Sequence, residues 1–473
     1  MGARGPPMVD SAMAYSIAPN SIVQHQTGPA AWLRALALSA AALLAACGGN
    51  HSSTPSPTAL TYDTPRALYV VGESIATNHA RLSGGSANGF TVSPALPSGL
   101  TLDAITGAIT GTPTALQRET SHTVSANHPA GSVQTQLRLT VTGRGAWTSV
   151  ATVPTPRHYA TLSRLPDGRQ LLAGGYALGG PSFEADIYDP ASSSWSAAAP
   201  MLVARADPAA VVLANGRVLV FGGDAAGFST LASAELYDPV ANTWTATGSM
   251  NEARTRPTAS VLPDGKVLVV GGFRSPAPTS FSSTAEVYDP ATGTWTLLPT
   301  PLSTARAQHA AQLLPGGTTL LVAGGVNSGG FVTSAELYAV DGSGTTPIAF
   351  GGSGNVMLSV PLDDGSVLVT SDAGTTAWRF DPHTSTWTTS TRNSSRSLPT
   401  MTLLADGRVL LAGGSGQNTA EIYNPDLKVW TSAASMAHVR QSAVASRLDN
   451  GQVLVVSGFD AGAEVNSTER YTP

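Results

Sequence analysis

One cysteine, Cys47, in a chain of 473 residues leaves no intrachain disulfide to be made. Charge is sparse, at 12% of residues, and 25 Lys and Arg stand against 30 Asp and Glu, a formal net charge of −5. No basic stripe is available to grip phosphates, so no nucleic-acid partner is expected. Long amphipathic helical patterns are missing. The 49 glycines and 33 prolines instead suggest many short strands joined by turns.

Near the N-terminus the segment Trp32–Cys47 reads WLRALALSAAALLAAC, with an apolar run from Ala35 to Ala46. The run is too short to span a bilayer with margin and suits the core of a signal peptide. Leu44-Ala45-Ala46-Cys47 resembles the bacterial lipobox, in which the cysteine is acylated and becomes the mature N-terminus. The resemblance implies a lipid anchor at Cys47 and, with Gly48 rather than Asp next to it, the outer membrane, facing either the periplasm or the outside. A plain secretory signal with an incidental cysteine is the other reading. The region before the apolar run is long, so Met13 is a candidate start. Residues 1–46 are thus assigned to the signal peptide and 47–59, rich in Ser, Thr, Pro and Gly, to a tether.

Residues 60–143 hold short alternating runs separated by Gly, Pro and Asn clusters, an all-β outline. Within them Leu96–Pro113, LPSGLTLDAITGAITGTP, resembles the signature of Ig-like (cadherin-like) modules of bacterial surface proteins. That implies a small β-sandwich acting as a spacer. Only Asp103 and Glu119 lie near, so calcium is not expected.

From residue 144 to the C-terminus one unit recurs seven times. Each copy opens on a hairpin turn: Asp167-Gly168, Asn215-Gly216, Asp264-Gly265, Gly316-Gly317, Asp364-Gly365, Asp406-Gly407 and Asn450-Gly451. A glycine pair follows six or seven residues later in five units, with Ser371-Asp372 in the fifth and Ser457-Gly458 in the seventh. A third strand then carries an acid, with Tyr two residues on and Trp nine residues on: Asp186, Tyr188 and Trp195 in the first unit. The fourth unit has Thr345 in place of the tryptophan.

Glycine pair, tyrosine and tryptophan at these offsets resemble the kelch repeat, over about 70% of the chain. The resemblance implies an all-β, seven-bladed kelch β-propeller preceded by a small Ig-like β-sandwich. The seventh unit ends after its third strand, while a spare tryptophan strand, Trp147–Val153, precedes the first unit. That strand is expected to complete the last blade.

Eleven residues before the turn glycine of six units stands an arginine: Arg157, Arg205, Arg254, Arg306, Arg396 and Arg440. The acids are Asp186, Glu235, Glu286, Glu336, Glu421 and Glu469. In the fifth unit both are lost together, to Gly354 and Trp378. A lone buried charge is costly, so joint loss points to an ion pair within each unit. The functional alternative is a ring of arginines gripping an anion.

Strand direction places the hairpin turns on one face of the disc and the loops after the glycine pairs on the other. Those loops are longest in units one to four, and each holds a phenylalanine: Phe183, Phe228, Phe281 and Phe331. Long loops on a rigid scaffold are where binding residues concentrate, so the four rings are candidate ligand contacts. Filling of the clefts between blades is the alternative.

Similar seven-bladed kelch propellers include copper-radical oxidases like galactose oxidase. Their cross-linked tyrosine needs a cysteine, and the repeats contain none. His158, His309 and His438 fall near first-strand starts without metal-ligand spacing, and His383 lies apart. No metal, cofactor or catalytic residue is expected. The sequence is read as a monomeric, non-catalytic cell-envelope lipoprotein binding a protein or glycan on its long-loop face. The alternative is a secreted carbohydrate-active enzyme on a galactose-oxidase-like or epimerase-like propeller.

Overall fold

A computed structural model describes residues 55–275, 279–354, 357–372 and 374–473. Cys47, the signal peptide and most of the tether lie outside the described residues.

The N-terminal module is all β. A four-stranded sheet runs in the order Arg66–Val70, Val133–Thr142, Gln117–Asn127, Gly89–Ser93, with the first two strands parallel. Two pairs complete it, Ala59–Tyr62 with Ala80–Ser83 and Leu100–Leu102 with Ile109–Gly111. Alternate residues point inward, so Phe90, Ile109, Val124 and Leu137 meet in one core.

Among the described residues that follow, seven four-stranded antiparallel sheets form the body of the chain. Blade two shows the pattern: Ala209–Val212, Val218–Phe221, Ala234–Asp238 and Thr243–Thr247, from the axis outward. Second strands such as Val218–Phe221 are buried at every position, because both faces of each sheet are covered by neighbouring blades. A continuous apolar run is what that environment requires. Leu171, Ala173 and Ile187 of blade one pack against Val218, Val220 and Tyr237 of blade two, and the arrangement repeats around the disc. The innermost strands adjoin one another in sequence, and Val444–Arg447 closes on Thr161–Arg164.

Closure uses the spare strand. Ala146–Val150 pairs antiparallel with Thr468–Thr472, setting Trp147 opposite Tyr471. The two rings lie 5.1 Å apart, as Tyr188 and Trp195 do at 5.2 Å in blade one. In blade four, where the tryptophan is missing, the Thr345 hydroxyl donates to Glu336 instead (2.7 Å).

The hairpin glycines have positive φ, Gly168 at 88° and Gly216 at 81°. The glycine pairs serve close approach as well as conformation. A Cβ on Gly174 would stand 2.7 Å from the Arg205 carbonyl of the next blade, while Gly175 N–H donates to that same oxygen (2.9 Å).

On the long-loop face, blades one and four raise small hairpins, Tyr176–Pro181 and Val326–Phe331, and in blade three Phe273–Arg274 pairs with Ser280–Phe281. Blade seven raises another, Phe459–Glu464, which the count of long loops in units one to four leaves out. Blade two has a 3-10 turn at Ala226–Phe228.

Candidate functional site at the axial opening

Six ion pairs join each repeat arginine to the acid of its own blade at 2.6 to 3.1 Å. All six guanidinium groups are buried. Each pair also organises backbone. Arg205 donates to the Gly222 and Ser233 carbonyls, and Glu235 accepts the N–H groups of Leu202 and Val203 in the crossing from blade one. Charges so committed have no reach toward an anionic ligand.

Blade five replaces this device. Trp378, at the acid's place, packs 5.5 Å from Phe350 of the preceding crossing. Arg392, from the crossing that follows, donates to the Ser371 carbonyl (2.7 Å), the position capped by the repeat arginine elsewhere.

Two residues past each arginine the chain turns onto the axis. Tyr159, Asp207, Arg256, Gln308, Leu398 and Ser442 occupy this place, all with φ between 50° and 55°. The left-handed conformation disfavours residues with a Cβ, at about 1 kcal/mol or more each. A belt of hydrogen bonds holds them there. Asp207 N–H donates to Tyr159 O, Ser442 N–H to Leu398 O (3.0 Å each), and Tyr159 N–H to Ser442 O (3.3 Å). Uncommon backbone of this kind concentrates at functional sites.

The ring encloses a cavity of about 240 Å³ at the mouth of the channel. Its walls differ. Ser442, Tyr159, Asp207, Arg256 and Gln308 form a polar side, and Met357, Leu398 and Pro399 an apolar one. Arg256 Nη2 donates to Asp207 Oδ2 at 2.7 Å, and its guanidinium lies 4.5 Å from the centre of the Tyr159 ring. Burial opposes the charge on Arg256, but Asp207 and Tyr159 outweigh it and raise its pKa. Burial raises the Asp207 carboxyl against the pull of Arg256.

Beside the cavity, Asp224 is pushed up to about 6, by burial first and then by the Asp207 carboxylate. Burial takes Tyr176 up to about 12 and His158 down. His158 packs among Tyr159, Tyr176 and Phe459. His309 is buried, shares a hydrogen bond with the Thr258 hydroxyl (2.9 Å), and falls to about 3 through desolvation and Arg306. His438 is half-exposed beside Glu469, and His383 sits in an outer turn.

The four phenylalanines have different surroundings. Phe183, Phe228 and Phe331 are exposed by 48%, 62% and 52%, whereas Phe281 packs on Phe273 between blades three and four. Among the described residues no ring contact joins any two of the four. The sequence reading missed Tyr159, Asp207 and Arg256. Their signal was there: two residues past a constant arginine, the repeat changes chemistry in every unit.

A family model described as Kelch motif matches residues 205–251 and 254–302, which span blades two and three. The propeller contains kelch motifs in these two blades. A second model, "Putative Ig domain", matches residues 50–142, the module that precedes the kelch blades. No curated protein sequence matches the chain. Among solved structures it is similar to a novel fungal alcohol oxidase of the AA5 family in complex with copper. That likeness has a TM-score of 0.59 at 18% identity, covering 70% of this chain and 76% of the oxidase. At that identity the likeness concerns the fold.

The residues at this kelch opening do not fit a copper centre. Among the described residues no three His, Cys, Asp or Glu side chains converge. His309 is turned into the core, and His158 is packed between aromatic rings.

Proposed function

We propose that the propeller is a binding module that takes a protein or glycan ligand on its long-loop face, with one end of the ligand over the axial opening. The observation that carries this reading is the two-sided cavity held open by six left-handed residues, with exposed Phe183, Phe228 and Phe331 on the loops of the same face. At about 240 Å³ the cavity suits one sugar ring or one side chain rather than a larger ligand. Purified chain is expected to bind in glycan or peptide arrays, and Phe228→Ala or Phe331→Ala to weaken that binding about tenfold. Unchanged affinity in both variants would exclude the rings as contacts.

The lipobox-like segment supports a second part of the proposal, an outer-membrane lipoprotein anchored through Cys47. Labelled palmitate should enter the wild-type chain and not Cys47→Ser.

Catalysis is the competing reading, favoured by Asp224. A carboxyl titrating near 6 at a channel mouth is placed for proton transfer at neutral pH. Sugar turnover abolished by Asp224→Asn would support it, and binding without turnover would exclude it.

A further inference from the structure

The cavity's own chemistry narrows the ligand, given the reading that the long-loop face is the binding face. We infer that the axial cavity binds an uncharged, hydroxyl-bearing sugar ring, with Asp207 and Arg256 taking its hydroxyl groups and Met357 and Leu398 its apolar face.

Charge is the first argument. Asp207 and Arg256 are joined at 2.7 Å, so the pair inside the cavity is neutral while still offering an acceptor beside a donor. Neighbouring hydroxyl groups on a sugar ring each donate and accept, and match such a pair without adding charge. An anionic sugar would bring a carboxylate toward Asp207, with Asp224 close behind it and Glu464 across the rim beside His158. The six repeat arginines that could offset it are sealed in their blades. An ammonium group would meet Arg256 in the same wall.

Shape is the second. The polar wall runs from blade seven through blade four, and the apolar wall covers blades five and six. A sugar ring has the same division between hydroxyl edge and C–H face. A third observation is Ser442, whose Oγ is buried at the cavity wall with no hydrogen-bond partner. A buried hydroxyl left alone is unfavourable, and a ligand hydroxyl would satisfy it.

The test uses the full chain in detergent on arrays of neutral oligosaccharides, matched uronate-bearing oligosaccharides and lysine-rich peptides. Neutral glycans should bind, and Asp207→Asn and Arg256→Gln should each weaken them about tenfold or more, the effect of losing a charged hydrogen bond. Those changes touch the axial belt, so Ser442→Tyr supplies a second variant. Blade one already carries Tyr159 at this ring position, and a tyrosine here should fill the cavity and abolish binding with the melting temperature kept. Binding of only anionic glycans or peptides, or of nothing, overturns the inference. Neutral-glycan binding that survives all three variants but falls in Phe183→Ala and Phe228→Ala also overturns it, leaving the face as the binding surface. Binding indifferent to all five changes overturns the face as well.

Discussion

At the scale of single residues, the axial opening gathers groups whose protonation is displaced in opposite directions, and acid stability reports both. His309 titrates near 3 when folded and near 6.5 when unfolded. Its contribution is therefore complete above pH 6.5 and is lost as the pH falls toward 3, because the unfolded chain takes up the proton first. Asp224 has the opposite sign. Its folded value of about 6 exceeds the unfolded 3.8, so its contribution grows as the pH falls from 6 to 4. Urea midpoints between pH 7.5 and 4 should separate the two. His309→Gln is expected to flatten the acid loss, and Asp224→Asn to steepen it. A shared acid profile for wild type and both variants would refute these assignments. Histidine and aspartate were plain in the sequence; their displacement was not, since it comes first from burial, which only the folded chain sets.

At the scale of the blade, the buried ion pair is a joint between strands and crossing rather than a simple charge contact. Glu286→Ala leaves Arg254 with only the more exposed Glu252 carboxylate (3.2 Å) and releases two backbone N–H groups, and is expected to cost about 3 kcal/mol in equilibrium unfolding. Blade five shows that the joint can be made otherwise. Phe350 and Trp378 join its crossing by packing, and Arg392 donates to the Ser371 and Gly374 carbonyls (2.7 Å each) in place of an ion pair with an acid of its blade. Arg392→Met should therefore destabilise less than Glu286→Ala. An equal or larger loss would mean that Arg392 holds blade five as the repeat arginines hold theirs. Joint loss of arginine and acid was readable from the repeat alone. The substitute was not, because Arg392 enters from outside the repeating positions.

At the scale of the molecule, the disc closes by antiparallel pairing of its two chain ends, and the Ig-like module is joined where that happens. Tyr471 donates to the Arg144 carbonyl, and Arg408, next to a short hairpin turn of blade six, donates to Thr142. The module thus meets the short-turn side, and the axial cavity opens on the other. Trp147→Ala removes the ring that packs at a tilt against Tyr471 and donates to Ala434 O. It is expected to cost about 3 kcal/mol and to expose the last blade to proteolysis before the others. Uniform digestion of all blades would argue against this closure.

Repetition made the fold legible. Seven copies of the hairpin turn, with glycine pair, tyrosine and tryptophan at fixed offsets in most of them, specify strands, faces and even the borrowed strand, because each copy reads its own local spacing. The candidate binding site keeps the spacing, two residues past a repeat arginine, but not the residue type, which changes from blade to blade. Tyr159, Asp207, Arg256 and Ser442 come from four different blades and become neighbours only when the ring closes, so their chemistry was decided by tertiary structure. Phe183, Phe228, Phe281 and Phe331 make the same point in reverse: four similar loop positions, of which packing covers one and leaves three in water.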